Sequence, residues 1–275
     1  MKILWNKQFR REYLWEPNCG GQFIKQENHV AFIFKDDDSL LAFPEKDTLP
    51  RLLYTKTSNE ILPLPIEWTV VETPDDIFLM VSEDQGLNLK NNIFFHDVPE
   101  HIRMEFKKHF RPLAYYVTDP QSLGEYTILH KDNWGYICMK EDEKLWEFNG
   151  RAYLYTDMMR WKDRLFFGTA GQGGYFYVLD INTGVPLASI KTGGTRRIVQ
   201  VDNLCYILRR EKRTQLVCVD LSDGRIVSQC DLPGKSSVDS AIAMIDNRIH
   251  AITFNYSRSI PVGFIWSCIE IYKRR

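Results

Sequence analysis

Short stretches of alternating apolar and polar residues fill this chain, and they come in pairs joined by turn residues. "YFYVLDINTGVPLAS" (Tyr175–Ser189) reads as an apolar strand, an Asp, a Thr-Gly turn and a second strand. "QLVCVDLSDGRIVS" (Gln215–Ser228) repeats that grammar with an Asp-Gly turn, and the turn glycines Gly184 and Gly224 stand 40 positions apart. A period of two with such turns predicts β-hairpins. A second recurring start, Asp and a polar residue before alternating apolar positions, appears in "WKDRLFFGT", "VDNLCYIL" and "IDNRIHAIT". It spaces Asp163, Asp202 and Asp246 by 39 and 44 residues, and "ENHVAFIF", "DDIFLMVS" and "GEYTILHK" fill the same slot earlier in the chain.

Six slots at intervals of roughly 38 to 49 residues, each with room for four short strands, predict an all-β chain built as a β-propeller of about six four-stranded blades. The first blade is expected from "QFIKQE", "HVAFIF", "SLLAFP" and "RLLYTK". The second takes "WTVVE", "DIFLMVS", "NNIFFHD" and "HIRMEFK", and the third "AYYVTD", "EYTILH", "WGYICMK" and "KLWEFN". The fourth runs from "RAYLYTD" to "PLASIKT", and the fifth ends at "RIVSQCD". The sixth has three strands of its own, and "KILWNKQF" (Lys2–Phe9) is available as its fourth, so the N-terminal strand is expected to close the ring. Closure removes exposed sheet edges. No Pro/Gly/Ser-rich tract divides the sequence, so residues 1–275 are read as a single propeller domain.

At "VLDINTGVPLA" the pattern resembles the repeat of the quinoprotein-type propeller superfamily, Ala-x-Asp-x-x-Thr-Gly-x-x-x-Trp. Asp180, Thr183 and Gly184 match it, Val178 stands in the alanine slot and Ala188 in the tryptophan slot. Asp220 and Gly224 match in the next repeat, where Ser228 stands in the tryptophan slot. The resemblance implies a propeller; its members include quinone-dependent dehydrogenases and non-enzymatic assembly scaffolds. A dehydrogenase of that kind is expected to be exported and to carry a vicinal Cys-Cys pair, and this chain has neither an export-like start nor that pair. The motif itself is structural, with Asp accepting bonds from turn amides and Gly supplying positive φ.

The chain's 275 residues carry a net charge of −1, which speaks against nucleic acid or an anionic membrane as the main partner. No apolar run reaches bilayer-spanning length. The charged start, "MKILWNKQFRREYLW", has no signal-peptide core, and six cysteines without a C-x-x-C pair read as reduced thiols in a cytoplasmic protein.

Chemistry-bearing clusters are few. His101, Glu105 and His109 would share one helix face and could hold a metal, but Ile102, Met104 and Phe106 alternate with charged residues and favour a strand. "KDDDS" (Lys35–Ser39) reads as a solvated turn, and "AGQGGY" lacks a following helix for phosphate binding. Neither a cofactor nor a metal is expected, and catalytic residues are not identified. The basic stretches "GTRR" and "RREKR" fall at a blade entry and at a hairpin tip, and "FRREYLWEP" crosses between blades. Their Tyr13, Trp15, Arg196, Arg197, Arg209 and Arg210 are the partner-binding candidates. The expected function is a monomeric, non-enzymatic scaffold that binds a protein through its loop-rich face. The alternatives are a hydrolase or lyase with a site at the axial funnel, metal-dependent or not, and a sugar- or metabolite-binding module.

Overall fold

The computed structural model describes residues 1–10, 22–26, 29–36, 39–46, 51–55, 69–73, 75–80, 83–91, 93–109, 120–132, 134–170, 173–194, 197–236, 240–257 and 260–271. The strands in chain order begin with β1 (Lys2–Arg10). A first meander follows with β2 (Gln22–Gln26), β3 (His29–Asp36), β4 (Ser39–Pro44) and β5 (Arg51–Thr55). The second has β6 (Thr69–Glu72), β7 (Ile77–Met80), β8 (Gly86–Asn88) and β9 (Ile93–Phe95), and then the helix α1 (Glu100–His109). The third has β10 (Gln121–Leu123), β11 (Tyr126–His130), β12 (Gly135–Lys140) and β13 (Glu143–Asn149).

In the fourth, β14 (Tyr153–Leu154) and β15 (Met159–Trp161) both pair with β16 (Arg164–Ala170) and share the first position, ahead of β17 (Tyr175–Asp180) and β18 (Pro186–Lys191). The fifth has β19 (Val199–Val201), β20 (Leu204–Arg210), β21 (Thr214–Asp220) and β22 (Ile226–Leu232). The sixth has β23 (Ile242–Ile245), β24 (Arg248–Ser257) and β25 (Ile260–Glu270), and β1 adds to β25 as its fourth strand. These antiparallel meanders are the blades of a β-propeller, with the N-terminal strand completing the last of them.

The blades fall into two compact units, Arg10–Ala114 with the first two blades and Met1–Phe9 with Tyr115–Arg275 carrying the other four. In each unit first strands of successive blades touch, β2 with β6 in one and β19 with β23 in the other, so the first strand is the inner one. Apolar side chains fill the space between adjacent blades. In the smaller unit Ile24, Ala31, Ile33 and Ala42 meet Leu79 and Leu87. In the larger, one cluster joins blades three and four, another joins four and five, and a third joins five and six and takes in Ile3 of β1.

β1 is held by stacked aromatic rings. Phe9 is buried and lies 4.7 Å from Phe264 on β25, and Trp5 meets Trp266 edge-on at 5.5 Å. Phe9→Ala is expected to cost about 3 kcal/mol of stability through the cavity it leaves. Denaturant unfolding checks this, and a change under 1 kcal/mol would mean that β1 does not close the blade.

The second blade departs from the sequence pattern. Its third strand is β8, in "GLN", and the "IFF" segment expected there is its fourth. "HIRMEFK", expected as the fourth strand, lies in α1. The alternation of Ile102, Met104 and Phe106 coincides with a helical spacing. Ile102 and Phe106, four apart, are buried with Val71, Phe78 and Val98, whereas Met104 is 52% exposed. Glu100 sits favourably in the first turn and pairs with Arg103 at 2.9 Å. In the third blade the inner position is taken by "QSL", while the "AYYVTD" segment expected there lies outside the described residues.

Candidate functional site

Alternate hairpins of a meander lie at opposite ends of its strands, and the connection from a fourth strand to the next first strand shares an end with the second-to-third hairpin. In the larger unit the two ends are built differently. One end is formed by first-to-second and third-to-fourth turns, and there Asp180 and Asp220 are spent on the turns themselves. Asp180 Oδ1 accepts from the Asn182 and Thr183 amides at 3.0 and 3.1 Å, and Asp220 Oδ1 accepts from the Ser222 amide at 2.9 Å. Gly184 N–H donates to Asp180 O, and Gly224 N–H to Asp220 O, both at 2.8 Å.

This end also locks blade to blade. Trp146 on β13 is 7% exposed, donates Nε1–H to Ile181 O at 2.6 Å and lies against the Gly184 turn of the next blade. A Cβ at Gly184, whose φ is +69°, would come within 2.6 Å of the indole. By cross-strand pairing Trp146 stands where Ala188 and Ser228 stand in the next two blades. Cys138 pairs with Trp146 as Val178 does with Ala188 and Cys218 with Ser228, each with a bulge just after the first residue. Ala188 in turn packs against Gly224.

The other end joins the second-to-third hairpins to the connections between blades. Thr192 N–H donates to Gly174 O at 2.9 Å and its carbonyl accepts from Arg210 N–H at 2.7 Å, tying blades four and five. Thr214 Oγ1–H donates to Gly234 O and Thr253 Oγ1–H to Pro233 O, tying five and six. Gly174 is required here, since a Cβ would meet the Gly194 backbone at 2.4 Å.

The ends differ in charge. Among the described loop residues of this unit, the second-to-third hairpins and blade connections carry Lys131, Arg151, Arg197, Lys212, Arg213 and Lys235 against Asp132 and Glu211. The opposite loops are acidic, with Glu125, Asp163, Asp202, Asp223 and Asp246 among them, against Lys162 and Arg225. Aromatic rings accompany the cations at the basic end. Arg151 stands 5.7 Å from the Tyr175 ring and Lys235 5.8 Å from that of Tyr256, and the 40% exposed Trp134 meets Tyr153 edge-on.

No family model matches the chain, and no curated protein matches it. Among solved structures it is similar to the crystal structure of BamB from Moraxella catarrhalis, at 11% identity over 91% of this chain and 84% of that one, with a TM-score of 0.40. It is also similar to the crystal structure of a mitotic checkpoint complex, at 8% identity over 98% of this chain and 95% of that one, with a TM-score of 0.35. The blade assignment rests on the strand pairing.

Of the partner-binding candidates, Tyr13, Trp15 and Arg196 lie outside the described residues. Arg197, Arg209 and Arg210 fall at the basic end, before β19 and at the end of β20. Arg210 is exposed and Arg197 half-buried. Arg209 is not part of an exposed tip as the pattern suggested; the tip is Glu211–Arg213, and the Arg209 side chain is 15% exposed. Sequence reasoning missed Gln215 and Gln229, which hold Arg209, and the rings of Trp134, Tyr153 and Tyr175. Their signal was cross-strand register, in which Arg209 pairs with Gln215 and Gln215 with Asp231.

Among the described residues no three His, Cys, Asp or Glu side chains are placed to hold a metal ion, and no helix is long and apolar enough to cross a membrane. Cys138, Cys205 and Cys218 are buried free thiols, Cys230 is a half-buried one, and Cys268 is buried. Desolvation pushes the Cys138 thiol up to about 11, so it stays protonated.

Proposed function

We propose that this chain is a non-enzymatic, single-domain β-propeller scaffold that binds a protein partner through the basic, aromatic end of its blades. One observation carries the reading. At the acidic end Asp180 and Asp220 are spent on turn amides, whereas the opposite end presents Arg, Lys and aromatic side chains on its loops. Such side chains on a fixed platform are the material of binding hot spots. The Trp146–Gly184 contact supports kinship with the quinoprotein-type repeat. Free buried thiols support a reducing, cytoplasmic setting.

Affinity purification from the native lysate tests the proposal. The wild-type chain is expected to recover one stoichiometric protein partner. Reversing charge at the basic end, with Arg210→Glu and Lys212→Glu, is expected to lower recovery at least about tenfold. Reversal at the acidic end, with Asp163→Lys and Asp223→Lys, is expected to leave it intact. Full recovery by the first variant would refute the assignment of this end.

A further inference from the structure

Arg209 is held in an unusual way for a cation with so little solvent. Its Nε–H and Nη2–H both donate to Gln215 Oε1, at 3.2 and 2.6 Å, and Nη2 also donates to Gln229 Oε1 at 3.1 Å. The orientation of the Gln215 amide is fixed from behind, because its Nε2 donates to Asp231 Oδ1 at 2.8 Å. Asp231 is itself engaged by Arg213 Nη1 at 3.0 Å. The guanidinium is thus positioned by neutral amide oxygens across three strands, at a side chain 15% exposed. Among the described residues its closest acid is Glu211, whose carboxylate stands 4.0 Å from Nη1, beyond hydrogen-bonding reach, on a 54% exposed side chain.

A largely buried guanidinium paired so loosely attracts an anion strongly, and among the described residues Nη1 makes no hydrogen bond and is the donor left to meet it. Arg210, Lys212 and Arg213 on the same hairpin add attraction at longer range. We infer that Arg209 is the anchor for a side-chain carboxylate in an acidic segment of a protein partner, which displaces Glu211 from its loose pairing. The inference rests on the protein-binding reading of this end and specifies the partner's chemistry. Nucleic acid fits less well, because Asp132, Glu211 and Asp231 interrupt the cations that a phosphate chain would need in a continuous track. The rings of Trp134, Tyr153 and Tyr175 suit the apolar residues that flank carboxylates in a protein segment.

The test is fluorescence anisotropy on the purified full chain, with a labelled, C-terminally amidated Glu-Ala repeat peptide and its Gln-Ala counterpart. The Glu-Ala peptide is expected to bind and the Gln-Ala peptide to fail. Arg209→Lys cannot keep the glutamine bonds and also present a donor outward, so it is expected to bind about tenfold more weakly or worse. Arg225→Lys, at the acidic end, should bind as wild type. Glu211→Gln removes the competing carboxylate without touching the fold and is expected to tighten binding about two- to threefold. Equal binding of both peptides, no binding of either, unchanged binding by both Arg209→Lys and Glu211→Gln, or preference for a labelled oligothymidine would each overturn the inference. A lysate partner still captured in full by Arg209→Lys would overturn the carboxylate anchor and leave the scaffold reading standing. Failure of the wild-type chain to capture any partner would count against the scaffold reading, while the peptide measurement decides the anchor separately.

Discussion

Replacing Trp146 by alanine will lower the unfolding free energy by about 3 to 5 kcal/mol. The indole is 7% exposed, fills the seam between the third and fourth blades, and donates to Ile181 O at 2.6 Å. Its removal leaves a cavity and takes the strongest donor from a buried carbonyl, two costs that add. Gly184→Ala probes the same contact from the other side. Its methyl would sit 2.6 Å from the ring at a residue whose φ is +69°, so it carries a steric cost beyond the roughly 1 kcal/mol of left-handed backbone strain. In the Trp146→Ala background the steric part vanishes. Denaturant unfolding of both single variants and the double variant should therefore show coupling of at least about 1 kcal/mol. Strict additivity would mean that the tryptophan and the turn do not meet.

Acid will weaken the last blade before it reaches the surface ion pairs. His250 on β24 is buried among Trp5, Trp266 and Cys268, and its Nδ1 accepts the Trp266 indole N–H at 3.0 Å. Desolvation foremost, with the charge of nearby Arg248 adding to it and that of Asp246 opposing it, depresses its pKa from 6.5 to about 4. The folded imidazole is therefore neutral where the unfolded one is charged, and the unfolded state binds more protons between those values. Stability is full above pH 6.5 and declines as pH falls towards 4, by up to about 3 kcal/mol. The paired carboxylate of Glu147 titrates in a lower window. Glu147, hydrogen-bonded first by Lys131 and then by Lys144, falls to about 2 and loses its pairing only below about pH 4.5. His250→Gln still offers an oxygen to the indole and should flatten the pH 6.5-to-4 limb. The same slope in that variant would assign the acid loss elsewhere.

How much of this was legible in the sequence depends on where the information is stored. The blades were legible because each hairpin writes its own alternation and turn, so the slots at Asp163, Asp202 and Asp246 fell on real first-to-second turns. The helix was not, because Ile102, Met104 and Phe106 satisfy a period of two while Ile102 and Phe106 alone satisfy a helical one. The equivalence of Trp146 to Ala188 was hidden by turn length. Glu141 and Asp142 make a tight turn with φ of 48° and 65°, so Trp146 follows Cys138 by eight residues, whereas Ala188 follows Val178 by ten. Cross-strand pairing restores the equivalence that linear spacing conceals. The charge of Arg197, Arg209 and Arg210, which sit at the proposed binding end, was legible. The bracket around Arg209 was not, because Gln215 and Gln229 reach it from two other strands.

The central claim is that a protein partner docks on the basic end. Hydrogen–deuterium exchange of the chain alone and with its purified partner measures this most directly. The account predicts new protection in 191–198 and 209–214, with no change in the turns at 181–185 and 221–225. Protection confined to those acidic-end turns would contradict it.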